Sequence, residues 1–393
     1  METLEKAIQE LGDGEVKTLP TGEKIFILSS HPRNPILDPR QLGLTWTENG
    51  GKRIGAAFNG GATLHEGFVI LTPRIHRNYR RVKFYDEKLG TWRWGMENYI
   101  SEVWPLKSVD GVNFTRIDNV SIKGDGTQHR DFIYGIEDIR IIPFRKQYLL
   151  VGCGKIKPPF KGVNADRIAI YSTRDFKEIT YHGMVAEFDS RNSFPFPEEI
   201  DGKIYMLIRF HPNIHLDVLE AGIDQLLNPK KYSELWKKIY ERREKTILIK
   251  AGEHLHEREK IGAGPPPIKV PEGWLLIYHS VGKINKELAS AYGLKHGLER
   301  CYTVSAVLLD RTNPRKVLAR TPLPIYVPSK LWELEGNEQY PVDIPYVVFP
   351  TGAIKVDGKL LIYAGAGDKY MVLLGCNLGT LLDYLREEGK MEQ

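Results

Sequence analysis

The stretch "GIEDIRI" (135–141) places two carboxylates and a guanidinium inside an otherwise apolar run. Read as a strand, it turns Ile136, Asp138 and Arg140 to one side and Glu137, Ile139 and Ile141 to the other, so both faces are mixed. A carboxylic acid there offers proton transfer, and the guanidinium beside it offers a fixed positive charge. The pattern admits two arrangements: a buried ion pair tying neighbouring strands together, or a polar site lined by strands. Basic groups recur where apolar strands end. Arg209 closes "YMLIR", with His215 shortly beyond, and His279 closes "LLIYH". "SRNSFPFPEE" supplies Arg191 and Asn192. "IGAGPPPI", preceded by Lys260, combines glycines that allow close backbone approach with prolines that fix an extended loop. A basic residue ending an apolar strand points into a funnel or mouth.

The elements that must carry these groups repeat. One apolar strand pattern ending in small or polar residues occurs five times: "GFVILTPRI" from Gly67, "KQYLLVGCGK" from Lys146, "GKIYMLIRF" from Gly202, "GWLLIYHSV" from Gly273 and "GKLLIYAGAG" from Gly358. Asp201-Gly202, Glu272-Gly273 and Asp357-Gly358 precede three of them and read as tight hairpin turns. Ser108-Val109-Asp110 with Phe114, and Ser172-Thr173-Arg174-Asp175 with Phe176, mark further hairpins. Five hairpin-rich units predict an all-β fold, a five-bladed β-propeller in one domain over 1–393, with a double-sheet sandwich as the alternative. Helical spacing is confined to 3–11, to an insertion at about 216–248 and to a C-terminal helix at about 378–388. The insertion offers a lid, an oligomer contact and hence a homo-oligomer, or simple packing on a blade.

Composition bounds the function classes. A chain of 393 residues with 27% charged and 41% hydrophobic residues has the balance of a globular protein, and no apolar run approaches a membrane helix. The N-terminus lacks the basic start and apolar stretch of a secretory signal, which predicts a cytoplasmic location. A net charge of +5 does not call for nucleic acid, and "RIHRNYRRVK" (74–83) reads as the solvated side of a strand or loop. Cys153, Cys301 and Cys376 are widely spaced and predict core thiols. His254 and His256 sit at a spacing that suits two metal ligands on a strand but bring no third, and a solvated loop is preferred; no metal is predicted. "AGAGD" lacks the context of a dinucleotide loop. Trp92, Trp94 and Trp104 offer sugar-stacking surfaces or core packing.

Taken together, "FNGGA" (58–62), "EDIR" (137–140), "FPEEIDGKIYMLIR" (196–209), "KIGAGPPPI" (260–268), "GWLLIYHS", "VVFPTGA" (347–353) and "YAGAGD" (363–368) resemble glycoside hydrolase family 130. That family contains β-mannoside phosphorylases on a five-bladed propeller. The resemblance implies that Asp138 is the general acid, acting through a sugar hydroxyl. It further implies that Arg191, Asn192, Arg209, Lys260 and His279 bind phosphate, and that Asp368 holds hydroxyls of the reacting mannosyl unit with Asn59 nearby. Arg140 and His215 complete the expected substrate contacts. Two positions depart from the family pattern: Ile139 stands where proline is usual, and Gly60 replaces another proline.

Physical reasoning supports these roles. Cleaving a glycosidic bond needs a proton on the leaving oxygen and a nucleophile on the opposite face of the sugar. Phosphate is that nucleophile only if the protein binds its charge, which two arginines, a lysine and an imidazole supply. A hydrolase on the same fold would need a carboxylate to activate water instead, and a non-catalytic carbohydrate-binding propeller would need neither. The expectation is phosphorolysis of β-mannosides with inversion, releasing α-mannose 1-phosphate, with phosphate as co-substrate and no cofactor. One tension stands out: Arg140 should depress the Asp138 pKa, unless another carboxylate holds it or burial prevails.

Overall fold

The computed structural model describes residues 3–87, 90–124, 129–157 and 165–389. The five copies of the apolar strand form Phe68–His76, Gln147–Lys155, Ile204–Ile208, Gly273–Ile284 and Lys359–Ala366. Each is the second strand of its own antiparallel sheet, and the five sheets follow one another along the chain. The first strands are Ala56–His65, Ile136–Phe144, Phe194–Pro195, Lys260–Ala263 and Val348–Val356. Each sheet has four or five strands and none closes on itself. The fifth takes its last strand, Ser29–Ser30, from the other end of the chain, pairing Ser30 with Leu374. Three two-stranded hairpins stand apart. Two large layers, as a sandwich requires, are not formed by these strands.

Local chemistry accounts for the hairpins. Asp201 and Gly202 have φ of 50° and 69°, and Asp357 and Gly358 have 48° and 75°, the paired positive values of a turn whose twist matches the strands. Glu272 is not left-handed, so the Glu272-Gly273 turn is of another kind. At the third-to-fourth strand turns, Asp110 accepts from the N–H groups of Val112 and Asn113 at 3.0 and 2.8 Å, and Asp175 from those of Lys177 and Glu178 at 2.9 and 3.0 Å. Asp310 does the same for Thr312 and Asn313, a third turn that its sequence did not advertise.

Burial ties the sheets in a cycle. Ile70 and Val103 of the first sheet share a core with Ile139, Leu150 and Tyr171 of the second. The second, third and fourth share another through Val151, Leu207 and Leu276. Leu275 and Val304 of the fourth pack with Val348 and Ile362 of the fifth, and Leu361 and Leu373 of the fifth pack with Ala57 and Leu71 of the first. Apolar burial of this kind supplies the main drive for the fold.

The terminal helices are Leu4–Glu10 and Leu378–Glu388; the second is capped by Asn377 and buries Leu381, Leu382 and Leu385. The insertion is shorter than its sequence pattern, because residues 214–219 and 247–249 belong to strands and leave between them helices Ile223–Leu227 and Ser233–Glu241 and a single 3-10 turn, Arg243–Lys245. Trp236 and Ile239 are buried against the third sheet, so the helical periodicity reflects packing on that sheet. The three cysteines are buried free thiols. Among the described residues no helix is long and apolar enough to cross a membrane.

Candidate active site

The first strands approach one another at the middle of the molecule. A Cβ on Gly61 would lie 2.6 Å from the Ile139 carbonyl oxygen, and one on Gly352 would lie 2.5 Å from the Ala62 nitrogen, so only glycine allows these contacts. Arg140 spans the gap. Its guanidinium donates to the carbonyl oxygens of Gly264, Asp138 and Ala263 at 3.0, 2.8 and 3.2 Å. It therefore ties the second sheet to the fourth and is not among the residues that line the cavity beside it. It is held by carbonyls, a partner that neither sequence alternative foresaw. His215 is likewise set apart: its ring nitrogens face the carbonyl oxygens of Arg243 and Phe210 at 3.0 and 3.2 Å, and it lines no part of the cavity.

The other groups singled out from the sequence meet in one cavity of about 250 Å³: Asn59, Asp138, Arg191, Asn192, Arg209, Lys260, His279 and Asp368. Bulges in the first strands aim them. The pairing slips between Phe58 and Gly61 and between Glu137 and Arg140. Asn59, Asp138, Asn192 and Asp368 have φ of 53°, 54°, 54° and 49°, a left-handed backbone that Asn and Asp accept more readily than other side chains. The bulge at Asp138 breaks the alternation of the strand, so consecutive Glu137 and Asp138 both face the cavity. These bulges form without the two prolines usual in the family.

A chain of buried charges runs through the wall. Glu137 Oε2 lies 2.7 Å from Arg74 Nη1 and 2.7 Å from Arg191 Nη2. Arg74 Nη1 is also 3.6 Å from Asp138 Oδ1, and Asn59 donates to that oxygen at 3.1 Å. At the other end Arg191 Nε is 3.2 Å from Asp166, which is paired with Lys155. Polar groups facing the cavity opposite this chain lack partners: both side-chain atoms of Asn192, Nε of Arg209 and both ring nitrogens of His279. Buried polar atoms are ordinarily satisfied, so these groups are available to a ligand, and Arg74 Nε, Arg191 Nε and Asn59 Oδ1 on the other side lack hydrogen-bond partners as well.

Electrostatics separates the two aspartates. Burial pushes the Asp138 carboxyl up, but Arg74, then Arg191 and Arg140, with the Asn59 hydrogen bond, hold it below its ordinary value. At Asp368 burial prevails over Arg74, with Asp138, Asp343 and Glu137 adding repulsion, and the carboxyl rises to about 6. Burial, then Arg191, lowers the Arg209 guanidinium to about 10. Burial, then Arg209 and Lys260, drives the His279 imidazole well below its ordinary value, so it is neutral at pH 7.

The cavity also contains residues that the sequence reading passed over. Arg74 stands next to the end of "GFVILTPRI" and Lys155 ends "KQYLLVGCGK"; the signal that singled out Arg209 and His279, a base at or near the end of a repeated strand, would have found both. The run 74–83 is divided: Arg74, Ile75, His76 and Tyr79 are buried, whereas Arg77, Asn78, Arg80, Arg81 and Lys83 are exposed, as a solvated stretch would be, with Arg77 and Arg80 paired with Glu102 and Glu97. Tyr99, Arg300, Tyr302 and Phe349 line the cavity without any sequence pattern announcing them. Trp104 is buried under the Arg116 guanidinium, Trp92 is exposed, and the Trp94 side chain lies outside the described residues. His254 and His256 stack ring on ring, and among the described residues no cluster of three or more metal-ligating side chains occurs.

A strand-lined cavity with two aspartates on one wall and a surplus of cations facing them defines a site that handles an anion together with a neutral, hydroxyl-rich substrate. Residues 29–387 match the family model described as beta-1,4-mannooligosaccharide phosphorylase, and the chain belongs to this family, glycoside hydrolase family 130. It is an enzyme of the glycoside phosphorylase class. It is 30% identical over 273 residues to a 1,2-beta-oligomannan phosphorylase of Thermoanaerobacter sp., covering 69% of this chain and 76% of the relative. It is 26% identical to the beta-1,2-mannobiose phosphorylase of Listeria innocua, covering 92% and 99%. The solved structure of beta-1,2-mannobiose phosphorylase from Listeria innocua shares the fold, with a TM-score of 0.64 and 23% identity over 91% of this chain and 99% of that one.

Proposed function

We propose that the protein cleaves β-mannosidic bonds with inorganic phosphate, inverting the anomeric carbon and releasing α-mannose 1-phosphate, on a single five-bladed β-propeller whose blades are the five sheets. The observation that carries the reading is the unpartnered set Asn192, Arg209 and His279 beside Arg191 and Lys260. Phosphate held there by two guanidinium forks, an ammonium and a neutral imidazole N–H faces the anomeric carbon from the side opposite the leaving oxygen. A hydrolase has no use for this charge. The cyclic sharing of cores between successive sheets supports the propeller arrangement. The reaction draws on phosphate as co-substrate, and no cofactor enters it.

Asp138 delivers the proton to the leaving oxygen, through a sugar hydroxyl where the direct path is too long. Asp368 accepts hydroxyls of the mannosyl unit. Ionised above a pH of about 6, it accepts two hydrogen bonds, and below that it holds a proton on one oxygen. The affinity for substrate should therefore change across that pH in the native enzyme. Asp368→Asn should weaken binding roughly tenfold or more and flatten this dependence, as measured by KM across pH 5 to 8. A pH-dependence retained in the variant would remove Asp368 from this role.

Gly262 is the close-approach position of the phosphate wall. A Cβ there would lie 2.4 Å from His279 Cε1 and 3.0 Å from Asn192 Nδ2. Gly262→Ala should displace both groups and lower kcat/KM for phosphate by roughly a hundredfold, with the fold retained by circular dichroism. The reading as a whole is tested by incubating the enzyme with β-1,2- and β-1,4-mannooligosaccharides with and without phosphate. Sugar release that does not depend on phosphate would refute it.

A further inference from the structure

Glu137 has no assigned part in the chemistry above, yet it stands between the two halves of the site. One of its oxygens is shared by Arg191, on the phosphate side, and by Arg74, whose Nη1 lies 3.6 Å from Asp138. Glu137, Asp138 and Arg74 are all at most 7% exposed, so water screens these interactions little. Lys155 approaches the same Glu137 oxygen at 3.8 Å but is engaged by Asp166, and Arg74 is held from behind by the Phe58 ring, 4.1 Å from its guanidinium carbon. Arg74 and Arg191 thus compete for one carboxylate oxygen.

We propose that Glu137 is a positioning residue that transmits phosphate occupancy to the general acid, by moving its single shared oxygen from Arg191 to Arg74 when phosphate takes Arg191. The inference rests on the phosphorylase reading of the site. In the free enzyme Arg191 claims part of Glu137, and Arg74 is left with attraction to spare for Asp138, which stays ionised. Phosphate then neutralises Arg191 and Glu137 turns wholly to Arg74. With Arg74 satisfied and a polyanion in the site, Asp138 takes up a proton from solvent. The acid is loaded only once the nucleophile is in place. The sign agrees with the field at Asp138, where Arg74 and Arg191 are the two largest charges opposing protonation.

The titratable and charged groups facing Asp138 are Arg74 of the first sheet, Glu137 and Arg140 of its own strand, Arg191 before the third sheet and Asp368 in the turn between Lys359–Ala366 and Tyr370–Asn377 of the fifth. Asp368, its carboxyl raised to about 6, is largely protonated at the pH of the test below and contributes alike to native and Glu137→Gln enzymes, so the difference in uptake between the two reports on Asp138. Removing the Glu137 charge frees Arg74 to pair directly with Asp138.

The test is Glu137→Gln in the full-length enzyme, with sulfate as a phosphate mimic that does not titrate near neutrality. Calorimetry of sulfate binding at pH 5.5, in two buffers of different ionisation enthalpy, reads proton uptake. The native enzyme should take up a sizeable fraction of one proton and the variant much less. In turnover the variant should bind phosphate at least as tightly, lose roughly tenfold in kcat, and show the alkaline limb of its kcat profile about one pH unit lower. Glu137→Asp, which keeps the charge, should recover part of the uptake. Equal uptake in native and Glu137→Gln enzymes, or an unmoved pH limb, would overturn the coupling, even where the variant is less stable. Failure of the native enzyme to bind sulfate or to require phosphate would instead strike at the phosphorylase reading.

Discussion

Asp138→Asn is expected to lower kcat for phosphorolysis by roughly a thousandfold, the upper part of the range for losing a positioned general acid. The amide is isosteric and can still accept from Asn59 through its carbonyl oxygen, and Arg74 keeps Glu137 as its partner, so the fold and phosphate affinity should survive. Melting temperature and sulfate binding measure that. The loss should shrink when the leaving group no longer needs a proton. An aryl mannoside with an acidic phenol should be cleaved by the variant far closer to the native rate than a mannobiose is. An equal loss on both substrates would mean that Asp138 positions the sugar and that the proton comes from elsewhere, with Asp368 the next candidate because its carboxyl is raised to about 6.

Arg209→Ala should raise the phosphate KM by about 10- to 100-fold, the loss of one charge-assisted contact to a polyanion, while kcat at saturation changes much less. Stability is the informative control. Among the described residues Arg209 has no carboxylate within ion-pair distance, and its Nε has no partner. Its neighbour Arg191 and burial both oppose its charge. Removing it relieves repulsion and orphans nothing, so the melting temperature without phosphate should hold or rise, whereas phosphate should stabilise the variant less than the native enzyme. Arg191→Ala is the contrasting case. It would strip a partner from both Glu137 and Asp166 and should cost stability as well as phosphate affinity. A phosphate KM unmoved by Arg209→Ala would take that residue out of the anion site.

Particular residues show how far the sequence was legible. The five strand copies became the second strands of five sheets because each is a short, nearly continuous apolar run bounded by turn residues, as a strand buried on both faces requires, and two of the turns before them announced a left-handed backbone through Asp-Gly. The basic residues at strand ends were legible for the same reason: Arg209 and His279 interrupt apolar runs, and both line the cavity. Arg74 and Lys155 carried the same signal, hidden in one case by a basic stretch that resembled a surface. Glu137 was not legible as a cavity residue, because strict alternation puts it opposite Asp138, and only the bulge turns both to one side. Arg140 was legible in part, because its charge does help to hold the Asp138 carboxyl down. Its spacing from Asp138 suggested a charge pair, but its partners are carbonyls from a sheet about 120 residues away along the chain, which no local pattern encodes. His215 failed similarly, its nitrogens taken up by backbone oxygens of the segment around the helical insertion.

The account turns on the identity of the nucleophile, and that is read most directly by following one reaction in ¹⁸O-labelled water. With β-1,2- or β-1,4-mannobiose and unlabelled phosphate, ³¹P and ¹H NMR should show α-mannose 1-phosphate growing in step with substrate loss. Mass spectrometry should find no label on its anomeric oxygen. Two equivalents of free mannose per mannobiose with no mannose 1-phosphate, formed at the same rate whether or not phosphate is present, would contradict the central claim.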